Sequence, residues 1–172
     1  MLQSGKVIAY PTEAVYGLGS DPMNQKACET ILTLKDRPES AGFIIIASNI
    51  DQLQPYIQTL KEADKKRLSS HWPKHTTLLL PAKKTCPEWL CGQHDTVACR
   101  VTHHPVVREL CNAYTKAIVS TSANLSGHPP ARSIEAIEKY FGSKVDILLG
   151  DLGNDTKPST IIDWQTQEVL RD

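Results

Sequence analysis

Four stretches of the chain place cations and neutral hydrogen-bonders beside apolar runs. Thr12 follows Val7-Ile8-Ala9-Tyr10, and Lys35 and Arg37 close the pattern Ala27, Ile31, Leu34. Ser122 and Asn124 follow Ala117-Ile118-Val119, and Ser159-Thr160 opens onto Ile161-Ile162. Arg100 lies inside the run Thr96-Val97-Ala98-Cys99-Arg100-Val101, and Arg171 stands near the carboxyl end. Side chains of these types hold an anion rather than cleave a bond by nucleophilic attack. Each also has a plainer reading. Lys35 and Arg37 would stabilise the carboxyl end of a helix with no ligand present. Arg100, flanked by valines and so buried, needs an anion, and an internal Asp or Glu would serve.

Other chemistries fit less well. No GxxxxGK[ST] or GxSxG string occurs, and Pro22 stands where a dinucleotide fingerprint would carry its third glycine after Gly17 and Gly19. His71 and His75 are four apart, but Pro73 between them argues against one helical face for zinc. Cys86 and Cys91 lack further ligands of the usual spacing. Lys61, Lys65, Lys66 and Arg67 form a basic run, either a solvated helix face or an RNA contact.

At 172 residues the chain is long enough for one domain with a full core. Nineteen Lys plus Arg balance nineteen Asp plus Glu, so no overall basic field advertises a nucleic-acid partner and any cationic site is local. Five cysteines, an odd number with no CxxC pair, point to free thiols in a reducing, cytoplasmic compartment. No apolar run approaches the ~20 residues that span a bilayer, so no membrane partner is expected.

Strands are expected at residues 7–10, 43–47, 76–81, 96–101, 117–119, 147–149 and 159–163, with a second extended piece after the turn at Thr12. Helices are expected from Asn24 as N-cap to Lys35, from Lys61 to about Leu68, from Pro105 to Tyr114, and from Ser133 as N-cap to Gly142. Ser48-Asn49-Ile50-Asp51 has the form of a capping box on a short helix. Alternating strands and helices imply an α/β fold: a single-domain, twisted, mixed sheet flanked by helices. The ligand is expected in a concave cationic pocket beyond the carboxyl end of a strand, where Ser120 to Gly127 would form a polar loop.

Taken together, Tyr10-Pro11-Thr12-Glu13-Ala14-Val15-Tyr16-Gly17-Leu18-Gly19, Lys35-x-Arg37-Pro38, Ser120-Thr121-Ser122-Ala123-Asn124-Leu125-Ser126-Gly127 and Pro158-Ser159-Thr160-Ile161-Ile162-Asp163 resemble the YrdC/TsaC family of L-threonylcarbamoyladenylate synthases. The likeness runs in order through residues 1–172 and implies a YrdC-like domain, in which a helix usual before the first strand would be missing. It implies a nucleotidyltransferase acting on ATP, L-threonine and bicarbonate or CO2, with Mg2+ carried on the ATP phosphates and no protein-held metal. The product would pass to the downstream t6A transfer machinery that modifies tRNA. Carried over by position, Thr12, Arg100, Ser122 and Ser159 would hold threonine. Lys35, Arg37, Thr96, Asn124 and Arg171 would hold ATP, with Lys35 and Arg37 catalytic. Ala41 and Ile46 stand where many relatives carry polar Asn and His contacts. The alternative is an RNA-binding or ribosome-maturation module using the same cationic surface on tRNA or double-stranded RNA.

Overall fold

The computed structural model describes residues 1–172, apart from the side chain of Glu39. Nine strands form one mixed sheet: β1 (Ile8–Pro11), β2 (Tyr16–Gly19), β3 (Ile44–Ala47), β4 (Thr76–Pro81), β5 (Thr96–Val101), β6 (Ile118–Ser122), β7 (Asp146–Ile147), β8 (Thr160–Asp163) and β9 (Val169–Arg171). Their order across the sheet is β7-β1-β2-β6-β3-β5-β4-β8-β9. Strand β3 lies between antiparallel β6 and parallel β5, and its Ile45 and Ile46 are wholly buried, one on each face of the sheet.

Five helices flank the sheet: α1 (Gln25–Lys35), α2 (Glu62–His71), the single turn α3 (Glu88–Cys91), α4 (Pro105–Tyr114) and α5 (Ile134–Phe141). Local chemistry sets their ends. The Asn24 side chain accepts from the Ala27 N–H at 3.1 Å, and Ser133 caps Ala136 in the same way. Pro105 begins α4 where its missing N–H costs nothing. Helix α1 ends at Lys35 because Asp36 turns left-handed, one residue before Arg37-Pro38 would force the issue.

Period-two alternation divides the apolar residues between the two faces. Ala9, Ile45, Ala47, Leu78, Leu80, Val97, Cys99, Val101 and Val119 join the main core with Ile31 of α1, Leu68 of α2 and Ile137 of α5. On the opposite face Ile8, Tyr10, Ile46 and Ile118 meet Val107, Cys111 and Tyr114 of α4, with Leu2 buried beside them. Helix α4 roofs only part of that second face.

Several expectations are corrected. Ser120, Thr121 and Ser122 belong to β6 rather than to a loop, because Thr121 and Ser122 pair with Leu18 and Gly17. The cap before residue 50 is Asn49, which accepts from the Asp51 and Gln52 N–H groups, and the reciprocal side chain is Gln52, bonded to the Ser48 N–H, rather than Asp51. It opens a 3-10 turn, Ile50–Leu53. The strand expected at 147–149 is only Asp146–Ile147, and α2 runs on to His71. Strand β9 and helix α3 were not anticipated, each being too short to carry a periodic signal.

Candidate functional site

The uncovered part of the second face is the floor of a cavity of about 480 Å³. Thr96, Ala98 and Arg100 of β5 point into it, two residues apart, while Val97, Cys99 and Val101 point into the core. Ser120 and Ser122 of β6, Ile44 of β3, Leu79 of β4 and Ile161 of β8 continue the floor. The registers agree: Ile44 lies opposite both Ala98 and Ser120. The site therefore spreads across the middle of strands, not beyond their carboxyl ends as the sequence suggested.

Of the nine residues singled out in the sequence, Thr12, Arg37, Thr96, Arg100, Ser122, Ser159 and Arg171 line this cavity. Lys35 and Asn124 do not; they lie behind it, bonded to one another. Lys35 is 3 % exposed, and its ammonium donates to the Ser122 carbonyl, to the Asn124 carbonyl at 2.9 Å and to Asn124 Oδ1 at 3.1 Å. Asn124 Oδ1 also accepts from Ser122 Oγ at 2.6 Å, and its Nδ2 donates to the Leu125 and His128 carbonyls. Burial, then the nearby Arg37 charge, lowers the Lys35 ammonium to about 8. The pair braces the loop after β6.

Arg37 is tied at both ends of its fork. One terminal nitrogen donates to Thr121 Oγ1 at 3.0 Å and the other to the Ala41 and Gly42 carbonyls, each at 3.1 Å. Thus Ala41 contributes backbone where its side chain has nothing to offer, while Ile46 is wholly buried in the second core cluster. Arg171 donates from Nε and a terminal nitrogen to the Ser159 carbonyl at 3.1 and 2.8 Å, and Ser159 Oγ shares a 2.8 Å hydrogen bond with Thr77. The Thr12 hydroxyl donates to the Val15 carbonyl at 2.7 Å, leaving its lone pairs as acceptors.

Arg100, 7 % exposed, pairs with Glu13, itself 4 % exposed. The internal-carboxylate reading of Arg100 thus holds, yet Arg100 Nε is buried with no partner among the described residues, as expected of a site prepared for a further acceptor. Burial alone would raise the Glu13 carboxyl; the Arg100 charge and a 2.5 Å hydrogen bond from Thr102 Oγ1 outweigh it and leave the group below its ordinary value. Glu13 carries no sequence signal of its own; the valine-flanked Arg100 is the sign that a buried anion is needed. His75 was also missed as a wall residue. Its Nδ1 lies 2.7 Å from Asp155 Oδ2, and burial and Arg100 lower its pKa.

Three arginines, from just beyond α1, from β5 and from β9, therefore line one hollow, and the carboxylates described near it, Glu13 and Asp155, are already engaged by Arg100 and His75. Such a site favours a ligand with several negative charges. Among the described residues no three His, Cys, Asp or Glu side chains cluster to hold a metal ion. In the basic run, Lys65 pairs with Glu62 and Arg67 stacks 3.5 Å above Trp164 while donating to its carbonyl, so these two are engaged within the protein.

Comparison with known proteins identifies the fold and the family. The Sua5/YciO/YrdC family model, which carries the description "telomere recombination", matches residues 1–172. A Photorhabdus laumondii protein named threonylcarbamoyl-AMP synthase is 49 % identical over 172 residues, 99 % of this chain and 91 % of the relative. An Escherichia coli protein of the same name is 46 % identical over 173 residues, with the same shares covered. Among solved structures, P. abyssi Sua5 complexed with L-threonine superposes with a TM-score of 0.85 at 30 % identity, over 95 % of this chain and 49 % of that one. The chain thus spans about half the length of P. abyssi Sua5. E. coli YciO gives a TM-score of 0.86 at 26 % identity, over 99 % of this chain and 84 % of the other. From the match along its full length and from these relatives, the chain belongs to the Sua5/YciO/YrdC family.

Proposed function

We propose that the chain is a threonylcarbamoyl-AMP synthase, forming L-threonylcarbamoyladenylate and pyrophosphate from ATP, L-threonine and bicarbonate or CO2, for t6A modification of tRNA. The observation that carries this reading is the gathering of Arg37, Arg100 and Arg171 with Thr12, Thr96, Ser122 and Ser159 around one cavity, in a family whose relatives bear that name. The reaction class is nucleotidyl transfer. The amine of threonine captures CO2 as a carbamate, whose oxygen attacks the α-phosphorus of ATP while pyrophosphate leaves. The nucleophile is already an anion, so no catalytic base is needed at that step. What the protein supplies is alignment and positive charge.

Arg100 takes the threonine carboxylate through its unpartnered Nε, with Thr12, Ser122 and Ser159 as neutral partners around the amino acid. Arg37 and Arg171 face the phosphates, with Thr96 beside them on the floor. A cation about 4 Å from a phosphate oxygen is worth on the order of 4 kcal/mol at an effective dielectric near 20. Lys35 and Asn124 act through Ser122, whose carbonyl and hydroxyl they hold, and Lys35 reaches a phosphate only by exchanging one of its present acceptors. Magnesium carried on the ATP phosphates would neutralise part of their charge. No helix is long and apolar enough to cross a membrane, and a cytoplasmic location belongs to this proposal.

The test is mass-spectrometric detection of threonylcarbamoyl-AMP from the purified chain, omitting threonine or bicarbonate in turn. Product should require both. Carbamoyl-AMP formed from carbamoyl phosphate and ATP, with no threonine-dependent product, would overturn the reading.

A further inference from the structure

A second pair of reactive groups sits at the rim of the cavity. Cys86 precedes α3 and Cys91 ends it, and their sulfurs lie 3.6 Å apart. Cys91 lines the cavity and is half-buried, whereas Cys28, Cys99 and Cys111 are buried. We propose that Cys86 and Cys91 are a reversible oxidation site for small hydroperoxides, and that their disulfide displaces the loop that holds Arg37.

The two thiols differ in the way such a pair needs. Cys91, which lines the cavity, is the sulfur a peroxide meets, and its thiolate is the attacking form; Cys86, 9 % exposed and outside the cavity lining, is placed to resolve the product. The Cys91 thiolate attacks the peroxide, forming an S–O bond and breaking O–O, and the departing oxygen takes a proton to leave as water or an alcohol. Cys86 sulfur then attacks Cys91 sulfur, forming S–S and breaking S–O, and the hydroxyl leaves as water with the Cys86 proton. Two thiols lose two electrons to one O–O bond.

The path from sulfur to Arg37 is short and made of backbone. The Phe43 N–H donates to the Leu90 carbonyl in α3 at 2.9 Å. A Cβ placed on Gly42 would lie 2.8 Å from the same carbonyl and 3.1 Å from Cys91 backbone, and one on Gly92 only 2.4 Å from the Ser40 carbonyl. Residues 40–43 and α3 thus fit against one another with no slack. The Ala41 and Gly42 carbonyls are the oxygens that fix Arg37. Drawing Cys91 onto Cys86 moves α3, and with it the Arg37 anchor.

The experiment treats the full chain with hydrogen peroxide and follows intact mass, turnover and amide exchange at Phe43. The expected result is loss of two hydrogens, faster exchange at Phe43, and a ten- to hundredfold fall in turnover, roughly the effect of misplacing a catalytic group by an ångström. Dithiothreitol should reverse all three. Cys86→Ser should keep basal turnover, form no disulfide, and carry a dimedone adduct at Cys91 after peroxide. The turnover arm rests on the activity proposed above, whereas mass and exchange do not, so failure of one is distinguishable from failure of the other. Absence of the two-hydrogen loss, or a disulfide form with unchanged Phe43 exchange, would overturn the proposal.

Discussion

Arg37 and Arg100 are held in opposite ways, and their variants should differ accordingly. Arg37 is fixed by neutral oxygens, so Arg37→Ala should leave the fold intact while threonine- and bicarbonate-dependent pyrophosphate release falls roughly a hundredfold or more, the scale of a lost transition-state charge contact. Near-normal turnover would remove Arg37 from the site. Arg100 is fixed by a buried carboxylate. Glu13→Gln leaves that guanidinium charge uncompensated and should lower stability by about 3 kcal/mol in denaturant unfolding. The Glu13 carboxyl lies below its ordinary 4.5 in the fold, so its stabilisation is present above that pH and is lost as pH falls through the folded value. The gap between wild type and Glu13→Gln should therefore narrow in acid; a gap independent of pH would contradict the ion pair. Lys35 is shifted in the same direction, but there it is the charged form that the fold disfavours. Its pKa falls from 10.5 to about 8, so between those values the unfolded chain binds the extra proton and the Lys35 contribution to stability rises with pH. NMR titration of its 13Cε should show a midpoint near 8, and a midpoint at the ordinary value would refute the desolvated placement.

Among elements, long periodic stretches were legible in the sequence and short ones were not. Strands β4 and β5 and helix α4 fall where expected, because turn residues or prolines bound each and apolar spacing fills the interior. Seven of the nine site residues converge on the cavity for a related reason: small polar residues interrupt an otherwise apolar pattern at positions that a fold would otherwise bury. The two that do not, Lys35 and Asn124, could not be separated from the rest, since a buried lysine bonded to carbonyl oxygens and one facing a ligand have the same local sequence. Glu13 escaped because its partner, Arg100, is 87 residues away and only the strand order brings them together. The 40–43 loop offers a test at this scale. Gly42 has φ +56° and faces the Leu90 carbonyl, so Gly42→Ala meets both backbone strain and a clash. It should lower the thermal midpoint and, because the Arg37 anchors lie on this loop, reduce turnover more than an equally destabilising change in α5 would. Equal effects would show that the loop does not position Arg37.

Across the whole molecule, the cavity gathers residues from β2 at one side of the sheet to β9 at its far edge. A ligand bound there bridges strands far apart in sequence, so ATP with threonine should raise the unfolding temperature of the whole chain as one transition. At a hundredfold excess over Kd the gain is about 2.7 kcal/mol. Arg100→Met should lose the threonine-dependent part of that rise while keeping the ATP-dependent part. Loss of both, or of neither, would place the amino acid elsewhere.

The alternation along β5 has a consequence for how such a protein changes. Thr96, Ala98 and Arg100 see only the ligand side, and Val97, Cys99 and Val101 see only the packed interior. Odd and even rungs can therefore drift independently, Arg100 excepted because Glu13 holds it: Thr96 and Ala98 can be rewritten toward a new guest without loosening the body that carries them. A one-residue insertion in this strand has no such freedom, since it would turn the arginine inward and a valine outward in the same stroke.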